Sequence, residues 1–453
     1  MRYLGRALTL ALVLIGGLPP TAQAQCTLSC KLVTLFDVEL APGTSRFGSS
    51  AQDFSLFNPQ VGLGAANGQE TALQIVDQFL KVVPTQLASV PLGSSSGGFT
   101  YSFDSSLGTS VRNTQTFGPT FADRATTIGA RQFTVGFNYQ HVHVDSLGGQ
   151  SLSDGTAGLY ISHFLTNEAE DTDLVKVNFQ LSLSQDTAVF FANYGVTNRL
   201  DVSVIVPVVR ISMSGTSTQQ IIRLATAATP TVHEFPNGGS VNVVNQSGTA
   251  TGIGDILLRA KYELVRVPGG GLAVALDLRL PSGNADNLLG TGSTQTKLVL
   301  IASGGRARFS PHANLGYAFT SGSTAVDTGS GGAFSLSAPD EFDYTGGVEF
   351  AAMPKLTILG DLIGRDLRNI GQLTNTTPTF NYQTVNGGPL IPITFPAPSL
   401  SFQSGSVNLL LGAVGAKVNV WEKLLVSANV LFPITSSGLK IGVAPVVGLE
   451  YAF

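Results

Sequence analysis

The chain is 453 residues long, with 43% hydrophobic and only 12% charged residues and 52 glycines, and its mean hydropathy is positive at +0.24. After the first two dozen residues, no run approaches the roughly 20 apolar residues that a membrane helix needs, so the hydrophobicity points to strands. With 25 Lys and Arg against 29 Asp and Glu, the balance excludes a nucleic-acid binder.

The N-terminus reads as an export signal. Arg2 and Arg6 precede an apolar run from Ala7 to Leu18, followed by Pro19-Pro20 and the small-residue site Ala22-Gln23-Ala24. Residues 1–24 are therefore predicted to be a cleaved signal peptide, leaving 23 basic against 29 acidic side chains, a net of −6. Gln25 stands where a lipoprotein has a small residue, which argues against lipidation of Cys26. Cys26 and Cys30 are the only cysteines, and their spacing in an exported chain suits a local disulfide better than a metal site.

Residues 25–115 form a separate N-terminal segment. Leu73, Val76, Leu80, Val83 and Leu87 recur at helical spacing and predict one amphipathic helix, bent or ended near Pro84. Its surroundings read as loop. The string Gly93-x-Ser95-x-Gly97 imitates a nucleophile elbow but lacks the strand before it and the helix after it.

From Arg131 to the end the pattern alternates with period two. Phe133, Val135, Phe137 and Tyr139 open it, and Leu200 to Val208 repeat it opposite Asp201 and Ser203. Ile256 to Leu264 oppose Asp255, Arg259, Lys261 and Glu263, while Leu272 to Leu280 oppose Asp277 and Arg279. Leu356, Ile358 and Leu362 oppose Asp361 and Arg365. In the last stretch Ile441, Val443, Val447, Leu449, Tyr451 and Phe453 share an apolar face opposite Lys440, Gly442, Ala444, Gly448, Glu450 and Ala452. A terminal aromatic on such a strand, with Tyr451, reads as the closing strand and assembly signal of an outer-membrane barrel.

The predicted fold is an all-β transmembrane antiparallel barrel over 116–453, with strands at 131–144, 173–196, 199–213, 252–266, 271–283, 294–304, 308–321, 341–353, 355–369, 404–420, 422–436 and 439–453. That is twelve; a split of the second strand at Ser184 to Asp186, with Gly158 to Phe164 as a further strand, gives fourteen. Short links alternate with long ones at 145–172, 214–251, 284–293, 322–340 and 370–403, the asymmetry of periplasmic turns and extracellular loops. An Arg or Lys facing lipid at mid-depth costs about 2–4 kcal/mol, so Asp201, Asp255, Arg259, Lys261, Glu263, Asp277, Arg279, Asp361 and Arg365 are assigned to the lumen. The sequence leaves the N-terminal segment either in that lumen as a plug or in the periplasm.

Several stretches resemble the outer-membrane transporter family named for the meta-pathway of phenol degradation. They are Thr116 to Gly129 followed by Phe133 to Gln140, Asn193 to Asp201, Gly252 to Tyr262, Leu280 to Gly283, Leu288 to Gly292, Pro311 to Tyr317, Leu431 to Thr435 and Pro445 to Phe453. The chain is more distantly similar to the fatty-acid and toluene channel group. That resemblance implies passive uptake of small hydrophobic or aromatic compounds, with no enzymatic activity and no cofactor. The implied partners are outer-membrane lipid, the barrel-assembly machinery and a small apolar solute. The alternatives are a general polar porin, a surface-binding barrel or an outer-membrane lipid hydrolase.

Two further features are marked. His141, His143 and Asp145 share a strand face, but they continue the lipid-facing parity of Phe133 to Tyr139 at its outer end, so emergence into the headgroup region is the simpler reading than metal binding. Pro207, Pro281, Pro433 and Pro445 each remove a ladder donor near the extracellular rim. A break at Pro207, or at Pro433 and Pro445, is a candidate sideways opening of the wall.

Overall fold

The structure, a computed structural model, describes residues 26–41, 72–104, 109–112, 114–162, 173–223, 233–327, 333–377, 379–383, 390–394 and 399–453. The expected signal peptide lies outside these, as do the side chains of Leu73 and Val76.

Among the described residues twelve strands make one closed antiparallel wall: β1 (Phe133–Leu147), β2 (Asp173–Gly195), β3 (Leu200–Arg223), β4 (Ile256–Val267), β5 (Gly270–Leu280), β6 (Thr294–Ser303), β7 (Phe309–Ser321), β8 (Glu341–Met353), β9 (Leu356–Thr376), β10 (Ser399–Trp421), β11 (Leu424–Pro433) and β12 (Ala444–Ala452). Each pairs with the next, and β12 returns to β1 with Leu449 opposite Phe137. Closure leaves no unpaired edge in lipid, where each orphaned backbone group would cost several kcal/mol. β2 runs unbroken through Ser184 and Asp186, so the count is twelve. Gly158–Ser162 pairs with the outer half of β2 and stays out of the wall ring.

The two faces exchange character along the longest strands. On β3 the outward residues Val202, Val204, Val206 and Val208 are apolar, and the next ones outward, Arg210, Ser212, Ser214, Thr216 and Thr218, are polar. Its inward face does the reverse: Asp201 and Ser203 give way to Val209, Ile211 and Met213. β2 inverts in step, with Phe190 and Tyr194 outward below and Gln180, Ser182 and Ser184 outward above, opposite inward Phe179, Leu181 and Leu183. A bilayer crossing takes about 9–11 residues, whereas β2 and β3 have 23 and 24. Their upper halves therefore stand in water as a collar. Exposed aromatics, among them Phe133, Tyr194, Phe309, Trp421 and Phe453, ring the end with the short turns, as an interfacial girdle does. A closed wall with an apolar outward belt and unequal ends is an outer-membrane barrel.

The collar overturns the reading of two of the long links, 214–251 and 370–403, as loops. Residues 214–223 belong to β3, Val241–Ile253 pairs with β3 across from them, and β9 and β10 continue to Thr376 and from Ser399. Strand structure persists there because the collar has a core. Helices α1 (Leu28–Thr34) and α2 (Ala72–Ala88) sit inside it, burying Leu32, Phe36, Phe79 and Leu87 against Phe179, Ile211, Met213 and Phe402. Phe36, Phe79 and Phe179 pack ring to ring at 4.8 to 5.9 Å. The helical periodicity anticipated α2 but not α1, whose start is capped by Thr27 accepting from the Cys30 amide. α2 also continues through Pro84 to Ala88, since the burial of Val82, Val83 and Leu87 offsets a lost backbone bond. Cys26 and Cys30 are disulfide-bonded.

One face assignment in the last strand fails. Ile441 is buried with Val142, Leu431 and Val446, because the strand is interrupted at Gly442 and Val443, between Leu439–Ile441 and Ala444–Ala452, and the alternation of β12 does not carry across the break.

Candidate functional site

The interior is built by the chain that leaves α2. Residues 90–101 and 114–130 run inside the barrel as two opposed stretches joined where the Ser94 amide donates to the Thr120 carbonyl at 2.7 Å. This segment reaches nearly every side of the wall. Thr116 donates to Ser310 on β7 at 3.0 Å, and the Gly118 amide to Glu349 on β8 at 3.0 Å. The Pro119 carbonyl accepts from Lys417 on β10 at 2.8 Å. The Ala125 amide donates to Ser303 on β6 and the Ile128 amide to Asp201 on β3, both at 3.0 Å, and the Gly98 amide donates to Glu450 on β12. Gly98 has to be glycine, since a Cβ there would lie 2.3 Å from a Leu425 methyl and 2.5 Å from the Phe117 carbonyl. The chain leaves the interior at Arg131 and enters β1 at Phe133, so residues 116–130 lie inside the barrel.

All nine charged residues assigned to the lumen face inward, and most are engaged with this segment or with one another. Arg259 clamps both carboxylate oxygens of Asp277 at 2.6 Å and also pairs with Asp123 of the inner segment. Lys261 donates to Ser96 and to the Arg124 and Thr126 carbonyls at 2.9 to 3.1 Å, with Asp201 3.7 Å away. Glu263 pairs with Arg266. Asp361 meets His312 at 2.7 Å, and Arg365 meets Glu341 at 2.5 Å and Asp343 at 3.1 Å. Asp255 sits at the outer end, accepting from Gly283 and Thr291 and so folding the β5–β6 connection against the wall. Among the described residues Arg279 hydrogen-bonds the Ala88 carbonyl, at 3.3 Å.

The sequence puts His312, Asp343, Glu349 and Glu450 on the faces opposite the apolar ones, but names none of the partners among the lumen candidates. Asp123, Arg124, Lys297, His312, Glu341, Asp343, Glu349, Lys417 and Glu450 complete the interior network. Seven of them carried a usable signal, the inward parity of Lys297, His312, Glu341, Asp343, Glu349, Lys417 and Glu450 on their strands. Asp123 and Arg124 stand in an irregular stretch, where parity says nothing.

Above this packed zone a cavity of about 150 Å³ remains between the turn after α2 and the wall from β3 to β9. Leu92, Phe121, Leu257, Val299 and Ile363 give it apolar sides, and Arg259, Asp277, Arg279, Lys297, Asp343 and Arg365 a charged one. A smaller space of about 30 Å³ adjoins it, sharing Ser89, Val90, Pro91, Ile363 and Arg365. That second space lies in the wall itself, bounded by Leu409 to Leu411 of β10, by Pro433 at the end of β11 and Thr435 after it, and by Leu439 to Ile441 before β12. Two of the four prolines mark the place. The regular β10–β11 register ends at Leu411 opposite Pro433, one bond short of the last contact, in which the Ile434 amide donates to the Leu410 carbonyl at 2.8 Å and the Leu410 amide to the Thr435 hydroxyl at 3.0 Å. The β12–β1 register breaks between Gly442, whose amide donates to the His143 carbonyl, and Val446 opposite Gln140, past Pro445. At Pro207 the wall is continuous, because the Gly254 amide donates to the Pro207 carbonyl at 2.8 Å across a bulge. Pro281 follows the end of β5.

The remaining marked residues take other places. His141, His143 and Asp145 point outward from β1, and His141 and Tyr139 both bond Asp186, at 2.8 and 2.7 Å. Among the described residues no three His, Cys, Asp or Glu converge on a metal position. Ser95 donates to Ser203 at 3.0 Å. Tyr451 and Phe453 stack outside the wall at 4.9 Å, Phe453 also against Phe133 at 5.7 Å.

Residues 164–360, which run from the end of the β1–β2 connection into β9, match the family model described as "Putative MetA-pathway of phenol degradation". The resemblance to that family holds. Among solved structures the chain is similar to an outer membrane channel from Pseudomonas putida F1, at 12% identity over 73% of this chain and 98% of that one, with a TM-score of 0.43. It is also similar to the Ralstonia pickettii toluene transporter TbuX, at 12% identity over 72% and 90%, TM-score 0.30, and to a Pseudomonas aeruginosa FadL homologue, at 10% identity over 73% and 90%, TM-score 0.29. The sequence matches none of the curated proteins.

Proposed function

We propose that this barrel is a passive channel for small hydrophobic or aromatic compounds, which enter through the collar, rest in the interior cavity and leave sideways through the wall between β10 and the β11–β12 hairpin. The observation that carries this reading is the shared lining of the two spaces. Val90, Pro91, Ile363 and Arg365 face both, so a solute in the cavity is one side chain away from the gap at Pro433. Residues 94–101 and 114–130 stand across the straight route down, and their bonds to β3, β6, β7, β8, β10 and β12 support reading that segment as a plug. A polar porin needs an open aqueous bore, and the plug takes its place. An apolar solute gains by leaving into hydrocarbon at about 25 cal/mol per Å² of its surface, so the sideways route runs downhill without an energy source.

In this reading outer-membrane lipid is the solvent of the outward belt and the first acceptor of the solute, and Tyr451 with Phe453 is the segment offered to the barrel-assembly machinery. The test is a pair of measurements on purified protein in liposomes. Labelled toluene is expected to equilibrate faster than in protein-free liposomes while single-channel recordings show little ionic current. Large steady conductance without accelerated toluene entry overturns the reading.

A further inference from the structure

We propose that the interior cavity takes single-ring aromatic carboxylates, with the carboxylate received by Arg279. This rests on the reading of the cavity as a station on the uptake route and adds to it the class of solute that the station holds.

The first argument is size. An apolar cavity of about 150 Å³ accommodates one benzene ring, and the cavity here has that volume, with Leu92, Phe121, Leu257, Val299 and Ile363 as its apolar sides.

The second argument is charge pairing. Of the four cations on the cavity wall, Arg259 is held by Asp123 and Asp277, while Lys297 and Arg365 share Glu341 and Asp343. Arg279 differs. Among the described residues no carboxylate lies within ion-pair distance of it; Glu341, already bonded by Lys297 and Arg365, is near enough to feel its charge but does not touch it. The one hydrogen bond of Arg279 among those residues is a long one of 3.3 Å to the Ala88 carbonyl at the end of α2. A guanidinium has five N–H donors in a fixed fork, so most of this one's capacity is unused. The two-oxygen geometry of a carboxylate matches that fork, and a half-buried cation gains most from a partner when little water reaches it. The lining therefore combines a slot for a flat ring with a positive group at its edge.

The third argument is access. The cavity is roofed by Ser89 to Ser94, the turn leaving α2, and the carbonyl that Arg279 touches belongs to the same turn. A carboxylate that takes Arg279 competes with Ala88 for it, so binding and the position of this roof are coupled.

Equilibrium dialysis of the purified full-length barrel in detergent, with labelled benzoate, acetate and toluene, tests the proposal. Benzoate is expected to be retained more tightly than acetate, and Arg279→Met to weaken benzoate by about tenfold or more, the order expected for losing one charge-assisted bond in a shielded site, with toluene unchanged. Arg279→Lys keeps the charge without the fork and should fall between. Leu257→Trp, which fills the ring slot and leaves Arg279 in place, should also lose benzoate, and it serves if the Arg279 variants do not fold. Benzoate bound equally by wild type and Arg279→Met, or no better than acetate, overturns the proposal. The two readings fail separately: toluene that permeates without benzoate being retained sinks the proposal alone, and toluene that does not permeate sinks the uptake reading.

Discussion

Arg124 on the inner segment and Glu349 on β8 form an ion pair shut off from solvent on both sides, with side chains 3% and 0% exposed. The pair is a hub. Arg124 also donates to Thr114 and Thr116, while Glu349 accepts from the Gly118 amide at 3.0 Å and lies 3.6 Å from His312. Positions 225 residues apart in the chain thus fix the plug against the wall.

Removing one member strands the other charge in a buried site, which costs about 3–5 kcal/mol. Glu349→Gln is expected to lower the unfolding temperature in detergent and to raise ionic conductance by loosening the plug, and Arg124→Met to do the same. The double variant should recover part of the stability, since neither charge is then unpaired. Thermal unfolding by circular dichroism together with single-channel recording checks both effects.

The collar core supports a second expectation. Phe179→Ala removes the ring shared by Phe36 and Phe79, at a cost of about 3–5 kcal/mol. The loss falls on the docking of α1 and α2, since β2 keeps its ladder to β1 and β3. Limited proteolysis should therefore cut before residue 90 more readily in the variant while the barrel from β1 onward survives.

The height of the bilayer is testable on a single strand. Phe190 and Gln180 both point outward from β2, one below the exchange of character and one above it. Phe190→Arg should cost about 2–4 kcal/mol in folding into lipid vesicles and Gln180→Arg about 0–1. Equal costs would mean that the apolar belt is misplaced.

The wall was legible in the sequence because lipid outside and charge inside impose an alternation that Val202 to Val208 against Asp201 and Ser203 states directly. The collar obeys the same period with the sense reversed. Ser- and Thr-rich stretches such as Ser212 to Thr218 look like loops until Ile211 and Met213 are seen to pack on helices that the sequence places more than 100 residues earlier. The charged lumen residues could be assigned by parity, and so could their partners on the strands, but not those on the inner segment. Asp123 meets Arg259 across 136 positions, and nothing local in an irregular segment announces that. The prolines pointed to the weak place in the wall, though only the ladder distinguishes Pro207, where pairing continues across a bulge, from Pro433, beyond which it lasts one residue, to Ile434 on Leu410, before the strands part.

The central claim is that solutes leave through the gap beside Pro433, and blocking that gap is the most direct test. Ser437 is exposed and lines the gap, so Ser437→Trp should cover it, while Ser323→Trp on the β7–β8 connection serves as a control for an added indole elsewhere on the rim. Toluene entry into liposomes carrying the Ser437 variant is predicted to fall to the protein-free rate, with the control variant unchanged and ionic conductance low in both. Undiminished toluene entry through the Ser437 variant would contradict the account.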